Sequence, residues 1–558
     1  MKPILKYSMI FATVVIVQSC KKDFLNRPPV DTTTSANFYS SDAEVLAGTA
    51  PLYNIVWFDY NDKAFLSFGE AHGGNLNCDD ADRKGYISFS VPQTDDILPS
   101  GYGAFWKIVA QANLIMANIT NASTTADEAT KKMGLAECRF MRGLAYMYLA
   151  SNWGPVPILY NNVTQLTDTT IKRNDLASVW KLIVMDFAYA AQYLPATPVQ
   201  QGRITKWAAE GMAARAYLYR SGLNQAEGSR TQSDLDSAKY YAADVINNSG
   251  ASLVPSYYDL FTHSYNSTAF ATANPEALFS LLWMPTSSPW GVNNSFQAYV
   301  AFESSITQTG DGWGGAFGAS SSLLQYYMAH PEDSVRRKAT FMLPGDNYPE
   351  LDAANGGTAV PVGNFNSAGT GDPTTGNDHA YIKKYVIGSP EDNGGGARQA
   401  AYENTYMLRL AEVYLIYSEA ILGNSSSTSD PTALKYFNAV RSRAGIETTT
   451  SITFDSVFQE KKIEFAFEGL AWYDWVRWYY FAPTKALNYF TNQNRGHYNI
   501  VYNTGSSNPK TYTVSYAGTT YPVTPGTLYL PWPETELEIA PNLLAAPVPF
   551  DFSKLPNY

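Results

Sequence analysis

Glu460, Glu464 and Glu468 recur four residues apart in QEKKIEFAFEGLAWYDWVRW, and Asp474 and Arg477 follow among Trp472, Trp475 and Trp478. Carboxylates beside aromatic rings are the equipment of a glycosidase, which sets two carboxyl groups across a sugar, roughly 5 to 9 Å apart and with different proton affinities. A four-residue spacing instead lines the glutamates up along one helical face. Arg409 and Arg477 are ready partners, so buried ion pairs that fix helix packing are the expectation and no catalytic residue is assigned.

A second kind of chemistry is sugar stacking. Trp283, Trp290, Phe296, Tyr299 and Trp313 fall in a stretch with almost no charge, and Trp313 stands between glycines in GDGWGG. An aromatic face covers the C–H face of a sugar, and Asn, Asp, Gln or Arg side chains bond its hydroxyl rim. Flanking glycines cannot bury a ring, so Trp313 is expected outward, whereas Trp283, closing the apolar run EALFSLLW, is expected to pack. FGEAHGGNLNCDDADRKGY (68–86) reads as a glycine-rich loop offering Asn75, Asn77, Asp79, Asp80, Arg83 and Tyr86. Trp313, Trp290, Tyr86, Asn75 and Asp79 are the candidate ligand contacts. The Asp79–Asp80 spacing does not match a calcium loop, and the five histidines and three cysteines lack zinc spacing, so no metal or other cofactor is expected. The glycine clusters also lack the Lys-Ser/Thr ending of a phosphate loop.

Cys20 carries a different chemistry. Lys2 and Lys6 precede an apolar run from Met9 to Val17, and Val17-Gln18-Ser19-Cys20 places small residues before a cysteine. That is a lipoprotein signal: residues 1–19 are removed and Cys20 takes lipid, tethering a water-folded chain to a bacterial membrane. The apolar run is shorter than the roughly 20 residues that span a bilayer. The remaining 539 residues carry a formal charge of −13, against nucleic acid as a partner. Cys138 lies among apolar neighbours in a helical pattern and is expected as a buried inert thiol.

These residues need a scaffold, and helical periodicity supplies one. Residues 128–151 form one helix; KWAAEGMAARAYLYRSG after Thr205, with SAKYYAADVINNSG, forms a hairpin; TYMLRLAEVYLIYSEAILG after Asn404, with ALKYFNAVRSRAG, forms another. Ala214, Tyr217 and Leu218 match Ala411, Tyr414 and Leu415 at one offset, and Lys239-Tyr240 match Lys435-Tyr436 at nearly the same one. The unit is a tetratricopeptide-like helical hairpin used twice. Residues 283–403 are rich in Gly, Asn, Ser, Thr and Pro, interrupted by aromatic residues: functional loops with a little strand, at 276–283 leading in. The fold class is thus mostly α, with a loop-rich, partly β insertion forming the ligand face. The expected organisation is a signal peptide (1–19), a lipidated tether (20–30), an N-terminal helical part (31–282), the insertion (283–403) and a C-terminal helical part completing the same domain (404–558).

Eight segments, in order, resemble the SusD/RagB family of outer-membrane nutrient-binding lipoproteins: CKKDFLNRPPV, FWKIVAQANLIMANI, AECRFMRGLAYMYLASNWGPVPIL, GRITKWAAEGMAARAYLYRSG, NTYMLRLAEVYLIYSEAIL, FNAVRSRAGI, QEKKIEFAFEGLAWYDWVRW and LYLPWPETELEIAPNLL. Lys461 and Ala471 depart from it, standing where the family usually places arginines. The resemblance implies a non-catalytic, surface-exposed protein of the outer membrane that captures oligosaccharide or polysaccharide and delivers it to a SusC-like TonB-dependent transporter. A peptide-binding member on the same scaffold is the alternative, and a glycoside hydrolase or a plain assembly scaffold are further rivals.

Overall fold

A computed structural model of the chain describes residues 38–53, 55–78, 81–121, 125–267, 274–286, 288–307, 315–361, 364–365, 371–372, 378–392, 399–503 and 511–556. Cys20, Asp79 and Trp313 lie outside the described residues, as do segments 1–19 and 20–30. The elements that carry the account are α1 (Asp42–Thr49), α2 (Leu98–Asn121), α3 (Glu128–Trp153), α4 (Leu176–Tyr193), α5 (Lys206–Arg220), α6 (Gln232–Asn248), α7 (Phe296–Val300), α8 (Ser321–Ala329), α9 (Leu410–Leu422), α10 (Pro431–Arg443), α11 (Phe454–Glu464), α12 (Ala471–Phe481) and α13 (Pro483–Asn492). Paired strands join them: β1 (Leu76–Cys78), β2 (Ala277–Leu281), β3 (Phe317–Ala319), β4 (Thr405–Arg409), β5 (Tyr498–Asn503) and β6 (Thr511–Tyr516).

The helical hairpins stack in sequence. α2 packs on α3, α3 on α4, α4 on α5, α5 on α6, α6 on α9 and α9 on α10. Local signals start them. The Thr205 side chain caps α5 at the Ala208 N–H, and Asp430 accepts from the N–H groups of Thr432 and Ala433 with Pro431 in the first turn of α10. Tyr217 stacks on Tyr241 in the first hairpin at 5.8 Å between ring centroids, and Tyr414 meets Tyr436 at 4.8 Å in the second. Tyr241 thus fills the first hairpin, whereas Tyr240, which matches Tyr436 in the sequence repeat, is exposed.

One expectation fails at the start of the second hairpin. TYMLR, read as the first turn of a helix, is strand β4, buried at every position and paired antiparallel with β2. A short run buried on both faces carries no alternation, so periodicity does not separate strand from helix there. β2 itself falls within the strand expected at 276–283. The largest apolar core reaches from Tyr39 to Leu543 and takes in Phe296, Phe302, Tyr381 and Val386 from the insertion, while two smaller clusters lie around Phe437 in the second hairpin and around Tyr257. Cys138 sits in that core, and burial pushes its thiol up, as an inert thiol requires. Among the described residues no helix is long and apolar enough to cross a membrane.

Candidate functional site

The glutamate ladder is a packing device. Arg336 bonds Glu460 at 2.5 Å and reaches Glu464 at 3.5 Å; Arg409 reaches Glu464 at 3.2 Å, bonds Glu468 at 2.7 Å and bonds Glu276; Arg443 closes on both Glu276 and Glu464; and Lys384 holds Glu468 at 2.8 Å. Burial pushes the carboxyls of Glu464 and Glu468 up, but the surrounding guanidinium and ammonium groups outweigh it and hold both below the ordinary carboxylate value. A second buried chain of charges runs from Arg215 to Glu412, Lys461, Asp474, Arg477, Glu419 and Arg230. A general acid needs the opposite shift. Glu210 has it, pushed up to about 8 by burial and by Asp244, but Lys206 bridges the two carboxyls at 3.2 and 2.9 Å inside the α5–α6 hairpin, so they close on an ammonium and not across a sugar.

Two of the expected ligand contacts are corrected. Asn75 is fully buried: its side-chain amide donates to Glu70 at 3.1 Å, and the Glu70 carboxylate in turn accepts from the backbone N–H groups of Phe467 and Leu470. Tyr86 is fully buried too, packed on Phe68, with its hydroxyl donating to Asp95 at 2.6 Å. The cause is that FGEAHGG is no surface loop. Residues 58–71 run through successive α and wide π turns. Gly69 and Gly73 let that run lie against Gly469 and Ala471, where a Cβ on Gly69 would stand 2.6 Å from the Gly469 Cα. His72, directly after the run, is buried and held neutral, its pKa lowered to about 3 by desolvation and by Arg495.

Trp290 is the candidate ring that the described structure leaves open. It is 48% exposed, and its inner side rests edge-on against Phe58 at 5.4 Å. Phe58 also meets Trp283, which is buried with its indole N–H on the Thr405 hydroxyl at 3.0 Å, as its place at the end of an apolar strand implies. The Met284 N–H bonds the Val292 carbonyl at 2.7 Å, closing the turn that presents Trp290, and Met284 is itself exposed. Beyond Phe58 the same wide turns bring up Asp62 and Lys63; Lys63 bonds the Tyr299 hydroxyl at 2.9 Å and keeps a half-exposed side chain. Phe296 is core, and Tyr299 is nearly so, stacked parallel on Phe317 with the Arg83 guanidinium over the pair. Trp290 is thus an exposed ring seated on buried aromatic residues. Lys63 was missed in the sequence because nothing in FDYNDKAF signals a π turn.

A SusD family profile matches residues 275–548, and a second, described as starch-binding associating with outer membrane, matches 54–218. A SusD-like protein of Bacteroides ovatus is 34% identical over 98% of this chain and 99% of its own length. The chain belongs to the SusD family. A crystal structure with xylogluco-oligosaccharide superposes with a TM-score of 0.80 at 34% identity, over 91% of this chain and 99% of that one. A laminarin-binding SusD-like protein, 22% identical, shares the fold with a TM-score of 0.64 over 90% of this chain and 98% of its own. Against the SusD pattern the two departures are absorbed by packing. Lys461 keeps a positive charge against Asp474 at 2.7 Å, and Ala471 supplies the small surface on which Gly73 rests.

Proposed function

We propose that this chain is a non-catalytic, lipid-anchored glycan-binding protein of the cell surface, which captures oligosaccharides and delivers them to a SusC-like TonB-dependent transporter of the outer membrane. The observation that carries the reading is Trp290, an indole half open to solvent on a firmly packed base, in a chain one-third identical to a protein crystallised with xylogluco-oligosaccharide. A sugar's C–H face stacks on the ring while its hydroxyls reach polar groups along the edge, Lys63 among them. Trp313, set between glycines, is proposed as a further ring of the same platform, with Asp79 as a polar contact. The saturated state of Glu460, Glu464 and Glu468 supports capture without turnover.

Lipid on Cys20 holds the chain at the membrane. A tether raises the local concentration of weakly bound chains beside a transporter without any new contact. The test is a binding screen of the soluble chain, residues 21–558, against plant glycans that include xyloglucan oligosaccharides, with a peptide library alongside. Saturable binding of a glycan without release of reducing ends is the expected result. Binding confined to peptides would transfer the site to the alternative ligand class, and release of reducing ends would overturn the non-catalytic reading.

A further inference from the structure

A second groove, of about 740 Å³, opens between α8, α11 and α13. It is separate from the Trp290 face. Ser322 and Gln493, on its wall, both bond the Gly74 carbonyl just before β1, whereas Phe317, at the far end of the paired strand β3, stacks on Tyr299 beside Lys63. The β1–β3 ribbon thus stands between the two.

The lining of this groove is unusual for a protein surface: among the described residues it contains no aliphatic and no acidic side chain. Tyr489, 39% exposed, forms one wall, its ring backed by Trp475 at 4.7 Å and Trp478 at 5.7 Å. Tyr326 stacked on His330 at 4.2 Å forms another. Gln325, Gln459, Asn488 and Asn492 also line the groove, the Asn492 amide donating to Asn488. Flat rings with hydrogen-bonding amides are the complement of a saccharide, with its apolar faces and hydroxyl rim.

Lys462 narrows the chemistry. It lines the groove, is 7% exposed, and among the described residues its ammonium has one hydrogen bond, to the Ser322 hydroxyl at 3.3 Å, and no carboxylate partner. Every other buried cation named on α11 and α12 is matched: Lys461 by Glu412 and Asp474, Arg477 by Asp474 and Glu419. Burying an ammonium without a counter-charge is costly, and a methionine would fill the same space without that cost. The other cation of the groove, Lys485, is already paired with Asp455 at 2.7 Å.

We propose that this groove is a second saccharide site, selective for a sugar that carries a carboxylate, with Lys462 as the counter-charge and Tyr489 as the stacking ring. It takes its ligand class from the reading above but neither its position nor its residues. The probes are trigalacturonic acid and, as the neutral control, cellotriose, each titrated calorimetrically into the soluble chain as wild type, Lys462→Met, Tyr489→Ala and Trp290→Ala. Wild type is expected to bind the acidic trisaccharide more tightly than the neutral one. Lys462→Met and Tyr489→Ala should each weaken the acidic probe by about tenfold or more, as loss of a binding hot spot does, while Trp290→Ala leaves it unchanged. Lys462→Met should melt no lower than wild type, a readout that a purely structural lysine would not give; if it does fail to fold, Tyr489→Ala, at a half-exposed ring, decides. No saturable binding of trigalacturonic acid by wild type, or equal affinity in Tyr489→Ala, overturns the proposal. Loss of xyloglucan binding in Trp290→Ala with trigalacturonic acid binding retained would separate the two sites; absence of neutral-glycan binding alone would sink only the earlier reading.

Discussion

Glu464 sits where three arginines converge, and that geometry makes it a structural carboxylate. Removing its charge takes one carboxylate from Arg336, Arg409 and Arg443 at once, although each keeps another carboxylate partner, and breaking a buried pair from one side typically costs about 3 to 5 kcal/mol. Glu464→Gln should therefore lower the melting temperature clearly while leaving reducing-end release from polysaccharides at the wild-type background. The carboxyl is held below its ordinary value of 4.5 in the folded chain, so its contribution is present above that pH and is lost as pH falls through the lowered folded value. Melting curves from pH 7 downward should show the variant losing less stability than wild type, and parallel curves would contradict this. The ion-pair role was legible from the four-residue spacing. The burial of Asn75 and Tyr86 was not, because polar and glycine-rich residues read alike whether they display a loop or let two backbones meet.

At the scale of elements, the contact of the 58–71 turns with the segment between α11 and α12 positions the base of the proposed ligand site. Phe58 and Lys63 belong to those turns, and Gly69 rests on the backbone of Gly469. A methyl group at Gly69 must displace backbone, and overpacking of this kind costs about 1 to 3 kcal/mol. Gly69→Ala should lower the melting temperature and weaken glycan binding together, although residue 69 touches no ligand in this account; an unchanged melting curve would mean that the two segments do not need to approach so closely. The helical hairpins were readable from their repeated small and aromatic positions because each shows one buried face. β4 was not readable, since a strand buried on both sides carries no alternation, and the wide turns over 60–64 and 67–71 leave no mark in the order of residue types.

For the whole molecule, the largest core joins helices of both hairpins to the insertion, and the tether proposed at Cys20 stands apart from the proposed ligand site in sequence. Cys20→Ala should abolish labelling by a fatty-acid probe and release the chain from the membrane fraction, and a variant that still partitions with membranes would remove the lipid anchor from the account. The central claim is that Trp290 binds glycan. Its most direct test is calorimetric titration of a xyloglucan oligosaccharide into the soluble chain and into Trp290→Ala, with thermal melting of both. Loss of a half-exposed stacking ring should weaken binding by about 5- to 150-fold, equivalent to roughly 1 to 3 kcal/mol, with the melting temperature nearly unchanged. Equal affinity in the two proteins, with both folded, would contradict it.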